Sequence, residues 1–234
     1  MPKVNDEYFE NKRKEIIEAA YRVCSRKPIT SVIMKDVIAE AGFSHGVIYK
    51  YYSDLDEVLR DLVITINSEN RIDARLDAIL KNAEAEDTKN WKNTIHQICN
   101  MLAEQMTEIG TDLIKISLYS DMLAMSDPER VNRITKNLDK DTQSPLLYLI
   151  TVIKKYFNNI IKKEALKPVK TVDEILQFII VTYHGIQTGY VLSKNYDSKQ
   201  LQGQYQPKQM FSCLADGIIA MLDSKDSKTT EVKG

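Results

Sequence analysis

Residues 33–52 read IMKDVIAEAGFSHGVIYKYY, a stretch that predicts two short helices joined by a glycine turn. The first helix is expected from Ile33 to Ala41, because its apolar residues recur at the spacing of one helix face. Gly42 can adopt a left-handed backbone conformation and so end that helix. We expect Ser44 to cap a second helix that runs for about two turns to Tyr52. The stretch therefore predicts a helix-turn-helix.

The second helix of this motif leaves polar and aromatic side chains facing outward. Its inner face is predicted to be Ile48 with Tyr52, which leaves outside His45, Gly46, Val47, Tyr49, Lys50 and Tyr51. A short helix with this surface has the dimensions and the chemistry to enter the major groove of DNA. The alternative is a helical hairpin in an ordinary α-helical core. The tyrosines favour the first interpretation, because three of them cannot all face one core from one short helix.

The same residues resemble the DNA-binding domain of TetR-family transcriptional regulators, and within that family the chain looks most like the YfiR-type regulators of bacilli. The likeness covers about residues 9–69. It includes the run EIIEAA at residues 15–20 and is most specific from Gly42 to Tyr52. The resemblance implies an all-α fold of about nine helices, with an N-terminal helix-turn-helix three-helix domain and a C-terminal helical bundle. It also implies a repressor that acts as a homodimer on double-stranded operator DNA and is controlled by a small-molecule effector of unknown identity.

The resemblance further implies which side chains contact DNA. The base-reading positions fall on His45, Gly46 and Val47. The contacts to phosphates or base methyl groups fall on Tyr49, Lys50 and Tyr51. We add Ser44 and Lys35 to the expected DNA-binding residues. A basic cluster at residues 12–14 lies where the family often touches the DNA backbone, and a solvated helix face is the alternative.

Four positions depart from the family pattern. Lys27-Pro28 replaces the glycine after helix 1, Val32-Ile33 replaces a Thr-Thr pair, Ile38 replaces an alanine, and Leu55 replaces a phosphate-binding lysine. Two positions that would donate to phosphate oxygens are therefore apolar, although Lys35, Ser31 or Thr30 could compensate. A second function stays open for this reason: a ligand-binding or protein-interaction dimer of the same fold whose DNA binding is weakened or lost.

Composition limits the classes of protein that the chain can belong to. Its 234 residues, 43% of them hydrophobic, can bury a substantial core in one or two domains. The formal net charge is -1, so no global field attracts the chain to nucleic acid or membrane, and DNA contact must rest on a few placed cations. No apolar N-terminal run and no uncharged stretch long enough to span a membrane are found, which predicts a cytoplasmic protein that does not enter a membrane.

Motifs of catalysis and metal binding are missing from the sequence. We find no glycine-rich phosphate loop, nucleophile elbow, paired histidines or Cys-His arrangement, and therefore expect no enzyme activity. Cys24, Cys99 and Cys213 lack CxxC spacing and are predicted to be buried free thiols. The three histidines lack the helical spacing of a metal motif, so we expect neither a metal nor a cofactor.

Helix signals suggest a division of the chain. Helix 1 is predicted from Asp6 to Arg26, with Pro28 as its stop. Helix 4 is predicted to open at Ser53 and to continue as one long rod toward Leu80. We assign residues 1–69 to the DNA-binding domain, with its helix-turn-helix at about 33–52, residues 70–223 to an effector-binding and dimerisation domain, and residues 224–234 to a disordered tail.

The second domain is expected to hold the effector and the dimer interface. Methionine, histidine and aromatic side chains suit an adaptable cavity, and the candidates are Trp91, His96, Met101, Tyr119, Met122, Tyr148 and Tyr156. Plain core packing is the alternative for each of them. The last two helices are apolar on more than one face, which predicts a four-helix dimer interface that includes Ile179, Tyr183, Ile186, Gly189, Phe211, Leu214 and Ile218. The interior of a monomer is the alternative here.

A basic zone runs from Arg130 to Lys170, where lysines and arginines clearly outnumber acids. One interpretation is a solvated surface. The other is a site for an anionic effector or partner.

Overall fold

The computed structural model describes residues 6–85, 90–138, 142, 144–195 and 205–223, and the elements in this part of the chain are helical. The all-α prediction is confirmed. Ten α-helices are present among the described residues, with a 3₁₀ turn at Ile29–Ser31: α1 Asp6–Arg26, α2 Met34–Ala41, α3 His45–Ile48, α4 Leu55–Glu69, α5 Asp73–Ala85, α6 Trp91–Ser126, α7 Pro128–Thr135, α8 Pro145–Lys163, α9 Val172–Asn195 and α10 Pro207–Leu222. The predicted disordered tail lies outside the described residues.

The chain forms two compact units that do not follow its linear order. Residues 1–70 group with 112–143, and residues 71–111 group with 144–234. Helix α6 contributes to both units, and Gly110, with a φ of 73°, interrupts its helical backbone just before the boundary. The first unit thus contains a segment that the sequence analysis assigned to the second domain. The division of functions near residue 69 stays a prediction.

The first unit packs α1, α2, α3 and α4 around one apolar core. Ile16, Val37, Ile48 and Val58 are fully buried in it. Three more buried side chains come from the end of α6 and from α7: Ile116, Leu123 and Ile134. The predicted bounds of α1 are confirmed, and the helix ends two residues before Pro28, as the steric demands of proline require.

The predicted long rod after the helix-turn-helix is wrong, because it is two helices. Helix α4 ends at Glu69, where the Asn70 side-chain amide donates to the Ile66 carbonyl oxygen at 2.8 Å. Such side-chain bonds to backbone compete with helix continuation. The N-cap of α4 is Asp54, one residue after the predicted Ser53: the Asp54 carboxylate accepts from the Glu57 amide at 3.0 Å, and the Glu57 carboxylate accepts from the Ser53 amide at 2.7 Å.

The second unit packs α5, the first part of α6, α8, α9 and α10. Its fully buried side chains include Leu76, Met106, Phe157, Ile175 and Phe211. Most of the residues predicted for the dimer interface lie in this core rather than on its surface: Ile179, Ile186, Phe211, Leu214 and Ile218 are buried, and the Tyr183 ring lies 6.0 Å from the Phe211 ring. By length and composition α9 could also cross a membrane. Here one side of α9 packs within the unit.

The two glycines of α9 have different surroundings. A Cβ at Gly189 would lie 2.6 Å from the Tyr205 ring, and the Tyr205 hydroxyl donates to the Ile186 carbonyl at 2.9 Å. Gly189 therefore makes room for a side chain of its own chain. A Cβ at Gly185 would meet no atom within 4 Å.

The three cysteines are not alike. Cys24 and Cys99 are buried as predicted, and burial raises the pKa of the Cys24 thiol to about 11 and that of Cys99 to about 12. Cys213 is exposed, so its predicted burial is wrong. The core face of α10 is formed by Phe211, Leu214, Ala215 and Ile218, and position 213 falls on the other side of the helix.

Alanine at the two glycines tests these surroundings. Gly185→Ala should stabilise the chain by about 0.5–1 kcal/mol, the usual gain over glycine in a helix interior. The change in unfolding free energy for Gly189→Ala should be less favourable than that for Gly185→Ala by about 0.5–1.5 kcal/mol, because the new methyl group displaces the Tyr205 ring and breaks its hydrogen bond. Urea denaturation measures both. In a Tyr205→Ala background the two substitutions should become equivalent, and a difference that persists there would contradict the assignment.

Candidate nucleic-acid interface

The turn between α2 and α3 has the predicted geometry. Gly42 ends α2 with a φ of 70°, a left-handed conformation that glycine adopts without strain. The second helix of the motif is shorter than expected, since α3 covers only His45–Ile48. Less regular helical turns continue from there to Tyr52, whose amide donates to the Ile48 carbonyl at 3.1 Å. The Ser44 side chain makes no capping bond. The Val47 amide is instead bonded to the Ser44 backbone carbonyl at 3.0 Å.

Two side chains hold α3 in place. Ile48 and Tyr52 are almost completely buried, as the sequence predicted. The Tyr52 hydroxyl donates to the Asp61 carboxylate of α4 at 2.9 Å, while the Arg13 guanidinium of α1 lies over the Tyr52 ring and 3.5 Å from the same carboxylate. Burial and the charge of Asp61 raise the pKa of Tyr52, so its hydroxyl remains a donor at neutral pH. This cluster ties the motif to both flanking helices.

The outer side of α3 carries most of the predicted DNA-binding residues. Ser44, His45, Gly46, Tyr49 and Lys50 are exposed, and Val47 is half-buried. The His45 and Tyr49 rings stack with centroids 6.4 Å apart. Tyr51 is half-buried and lies 5.8 Å from the Phe9 ring of α1, and Lys35 is exposed on α2. Their contacts with DNA stay a prediction.

Sequence reasoning missed the aromatic group beside Tyr51. Phe9 of α1, whose ring lies beside that of Tyr51, is 42% exposed. The Lys12 ammonium lies 4.7 Å from the centre of the Phe43 ring and is bonded to Glu15 at 2.8 Å. The only sign of this contact in the sequence was that aromatic residues occur both at the start of α1 and at residues 49–52.

Most cations near the motif already have acidic partners. Arg22 and Arg26 both bond to Glu40, and these bonds lower the pKa of that carboxyl. Lys27 bonds to Asp36 at 2.6 Å. Among the residues that the structure describes, no ion pair is formed by Lys14, Lys35 or Lys50, all of which are exposed. These three ammonium groups are available to meet phosphates.

The departures from the family pattern have structural reasons at three positions. Val32 and Ile38 are buried in the core, and Leu55 packs against it. Ile33 is different, because it is 55% exposed at the start of α2. Its amide is bonded at 2.9 Å to the Asp36 carboxylate, whose pKa is lowered by Lys27 and by this amide. Asp36 thus makes one of the two bonds of a capping box, while the Ile33 side chain has no acceptor for the other.

The predicted effector residues do not gather in one place. Tyr119 and Met122 belong to the first unit, and Met122 is exposed. In the second unit Trp91 and Met101 are buried, the His96 imidazole lies 3.4 Å from Asp216, and the Tyr148 hydroxyl donates to Asp77 at 2.7 Å. Trp91 and Tyr156 line one small cavity together. A separate apolar cavity in this unit is lined by none of the predicted residues of this set.

Comparison with known proteins gives a match for the N-terminal segment. Residues 16–62, from α1 into α4, match the family model described as bacterial regulatory proteins, tetR family. The uncharacterized HTH-type transcriptional regulator YfiR of Bacillus subtilis is 30% identical over 138 residues, which are 59% of this chain. The match spans 63% of the length of that relative.

Solved structures match the whole fold. The fatty acid degradation regulator FadR of Bacillus halodurans superposes with a TM-score of 0.59 at 17% identity, over 90% of this chain and 96% of that one. A TetR family transcription regulator from Marinobacter aquaeolei superposes with a TM-score of 0.55 at 15% identity, over 91% of this chain and 97% of that one. At these identities the likeness concerns the fold. Residues 16–62 thus match the DNA-binding segment of bacterial regulatory proteins of the tetR family, and the fold of the chain is that of solved TetR-family regulators.

Proposed function

We propose that this chain is a cytoplasmic, DNA-binding transcriptional repressor, and not an enzyme, which a small molecule releases from its operator. The observation that carries the proposal is the exposed side of α3, held rigidly by Tyr52, Asp61 and Arg13. Rigid placement matters because recognition of base edges requires a fixed docking geometry. YfiR is an HTH-type transcriptional regulator and FadR is a fatty acid degradation regulator, and both support the same function.

The exposed residues divide by chemistry into two roles. His45, Gly46 and Val47 begin the short helix, the end that approaches base edges in a helix-turn-helix. Tyr49 and Lys50 follow, and an ammonium group without an acidic partner is suited to a phosphate. Lys35 on α2 offers a second such group. Sequence preference then comes from the first set and affinity from the second.

A second candidate is a dimer of the same fold that binds a ligand or a protein and has weak DNA binding. It is favoured by the exposed Ile33 and by the small number of unpaired cations near the motif in the part of the chain that the structure describes. With few phosphate contacts, the affinity for DNA falls steeply as salt increases. Binding at low salt therefore distinguishes the two functions.

We propose that the homodimer forms through a stripe on α9 that the chain itself leaves uncovered. The exposed residues Phe178, Val181, Gly185, Thr188 and Leu192 recur at alternating spacings of three and four, which is the spacing of one helix face. The Thr188 hydroxyl is already bonded to the His184 carbonyl at 2.9 Å. This stripe adjoins α10 at Gly217, where a Cβ would lie 3.6 Å from the Phe178 ring.

This surface replaces most of the residues first expected at the interface. Those residues face the core of their own unit, so a partner could not reach them without unfolding it. An uncovered apolar helix face on a regulator of this fold is suited to a two-fold partner, because the same patch can serve both chains.

Lys50→Ala tests the DNA-binding proposal. We expect a dimer to select from a random pool a palindrome with half-sites about 34–36 Å apart, or a near multiple. On the selected site Lys50→Ala should weaken binding and reduce the slope of log K against log salt by about 0.9, the value for one lost phosphate contact. Fluorescence anisotropy measures the slope. Lys162→Ala, an exposed lysine on α8, is the control and should leave it unchanged.

The outcomes separate the two candidate functions. An unchanged slope for Lys50→Ala removes Lys50 from the phosphate contacts. If no sequence is enriched even at low salt, the DNA-binding proposal fails and the ligand-binding dimer remains.

Val181→Glu tests the dimer interface. Val181 is 72% exposed in one chain, so the substitution should hardly change its folding, but in the dimer it buries a charge without a partner. We expect the dimer dissociation constant to increase at least about tenfold, which corresponds to roughly 1.4 kcal/mol. Sedimentation velocity measures it. Val169→Glu, at a 53% exposed valine before α9, is the control, and equal behaviour of the two variants would move the interface elsewhere.

Release by an effector has a thermodynamic test. A coupling of about 1–3 kcal/mol corresponds to roughly 5–150-fold weaker operator binding when the effector is bound. Linkage requires operator DNA to weaken the effector by the same factor. A ligand found by thermal-shift screening is titrated by calorimetry with and without operator. Equal affinities in the two titrations would rule out release by that ligand.

A further inference from the structure

Two exposed aromatic side chains stand at the start of α1. Phe9 falls on the same helix face as Ile16 and Ala20, which are fully buried in the core of the first unit. Phe9 itself is 42% exposed, and the preceding Tyr8 is 52% exposed. The two rings meet edge to face with centroids 6.2 Å apart, and we call them the aromatic pair. Adjacent exposed rings are more informative than a single exposed apolar residue, because such patches mark contact surfaces.

The aromatic pair lies beside the exposed surface of α3. The Phe9 ring is 5.8 Å from the Tyr51 ring, and Tyr51 directly follows the exposed Lys50. One turn further along α1, the Lys12 ammonium lies over the ring of Phe43, which precedes α3 in the chain. Helix α1 therefore borders the segment of α3 both before and after the helix. The exposed surface of α3 continues through Tyr51 onto the aromatic pair.

The charges around the aromatic pair disfavour a phosphate as its main contact. The Lys12 ammonium lies 5.9 Å from the centre of the Tyr8 ring, but it is bonded to Glu15 at 2.8 Å. Glu7 and Glu10, on either side of the pair in the chain, are exposed acids that repel phosphates. The rings are therefore suited to atoms that carry no charge.

The dimensions of DNA place uncharged atoms next to a helix in the major groove. An α-helix with its side chains is about 10–12 Å across and the major groove is about 12 Å wide, so the helix fills the groove. An element beside that helix then meets the wall of the groove, which consists of deoxyribose sugars and phosphates. The carbon atoms of a deoxyribose are apolar, and an aromatic ring can pack on them without a hydrogen bond.

We propose that Tyr8 and Phe9 pack on the deoxyribose backbone of the operator, at the edge of the groove that α3 occupies. The proposal rests on the proposed function in taking operator DNA as the partner. An apolar contact releases no counterions, so it strengthens binding to every sequence by the same factor at every salt concentration. It partly offsets the phosphate donor that Leu55 does not supply.

Removal of each ring tests the contact, on the site selected from a random pool and on an unrelated duplex. An aromatic side chain buries roughly 150–250 Å² when it is fully covered, so covering half of the exposed part of Phe9 increases affinity about four- to eightfold. Phe9→Ala should weaken both duplexes by this factor and leave the slope of log K against log salt unchanged. Tyr8→Ala should do the same, whereas Tyr8→Phe, which keeps the ring, should change nothing. Fluorescence anisotropy measures the affinities and the slope.

An exposed apolar residue of the second unit supplies the matched control. Leu147→Ala, at a leucine that is 49% exposed, should not change DNA binding. Thermal melts establish that each variant is folded. Wild-type affinity in both Phe9→Ala and Tyr8→Ala would overturn the contact. Weaker binding that comes with a smaller salt slope would also overturn it, because the loss would then be one of phosphate contacts.

A double-mutant cycle separates direct contact from support of Tyr51. If Phe9 itself touches DNA, Phe9→Ala should weaken binding in a Tyr51→Ala background by nearly the same factor as in the wild type. An effect that disappears in that background would make Phe9 a support for Tyr51 and overturn the direct contact.

The charge of Glu10 tests how close α1 comes to the duplex. Interactions between exposed charges are largely screened beyond about 10 Å at 0.1 M salt. At this salt Glu10→Gln should tighten DNA binding about two- to threefold, the scale of one exposed charge pair. Glu18→Gln, at an exposed acid about 12 Å further along the same helix, should have a clearly smaller effect. Equal effects of the two variants would contradict the placement of this end of α1 against DNA.

The failure of this contact is distinguishable from failure of the proposed function. A wild-type chain that binds no duplex even at low salt would overturn both. A wild-type chain that binds its selected site no more tightly than Phe9→Ala and Tyr8→Ala would overturn the contact alone.

Discussion

The burial of Ile48 and Tyr52 is the contact on which the DNA-reading surface depends. A four-residue helix is unstable in water, because ordering the first turn costs more free energy than its few hydrogen bonds recover. Helix α3 therefore takes its position from the core of the first unit. Tyr52 contributes twice, since its ring is buried while its hydroxyl bonds to Asp61. Ile116 and Ile134 belong to the same core. The position of the surface formed by residues 44–50 therefore also depends on packing by residues that are distant in the sequence.

The parts of the fold that could be predicted are those with local causes. Pro28 stops α1 and Gly42 ends α2 through their own backbone preferences, and both effects are visible in the sequence. The break after Glu69 was missed because its cause, the bond from Asn70 to a carbonyl, competes with an apolar pattern that looks continuous. Likewise, apolar periodicity indicates that a helix face is covered but not what covers it. Gly189 showed this directly, because the group that approaches it is Tyr205 of the same chain.

The candidate effector residues could not be located from their chemistry alone. They were chosen as methionines and aromatic residues on central helices, but α6 contributes to both units, so Tyr119 and Met122 fall in a different core from Trp91. The change of unit coincides with Gly110, and a lone glycine in a helical pattern is a weak signal. The apolar cavity of the second unit is lined mostly by ordinary isoleucines and leucines. Such residues cannot be told from plain core before the packing is known.

The unequal cysteines give this chain a practical property. Thiol reagents attack the thiolate, which is scarce at Cys24 and Cys99 because burial raises the pKa of both thiols. Cys213 is open to solvent on α10, the helix that packs against α9. At neutral pH a maleimide dye should therefore attach at one site of the native sequence. A single reporter beside the uncovered stripe of α9 would follow assembly by fluorescence without any engineered cysteine.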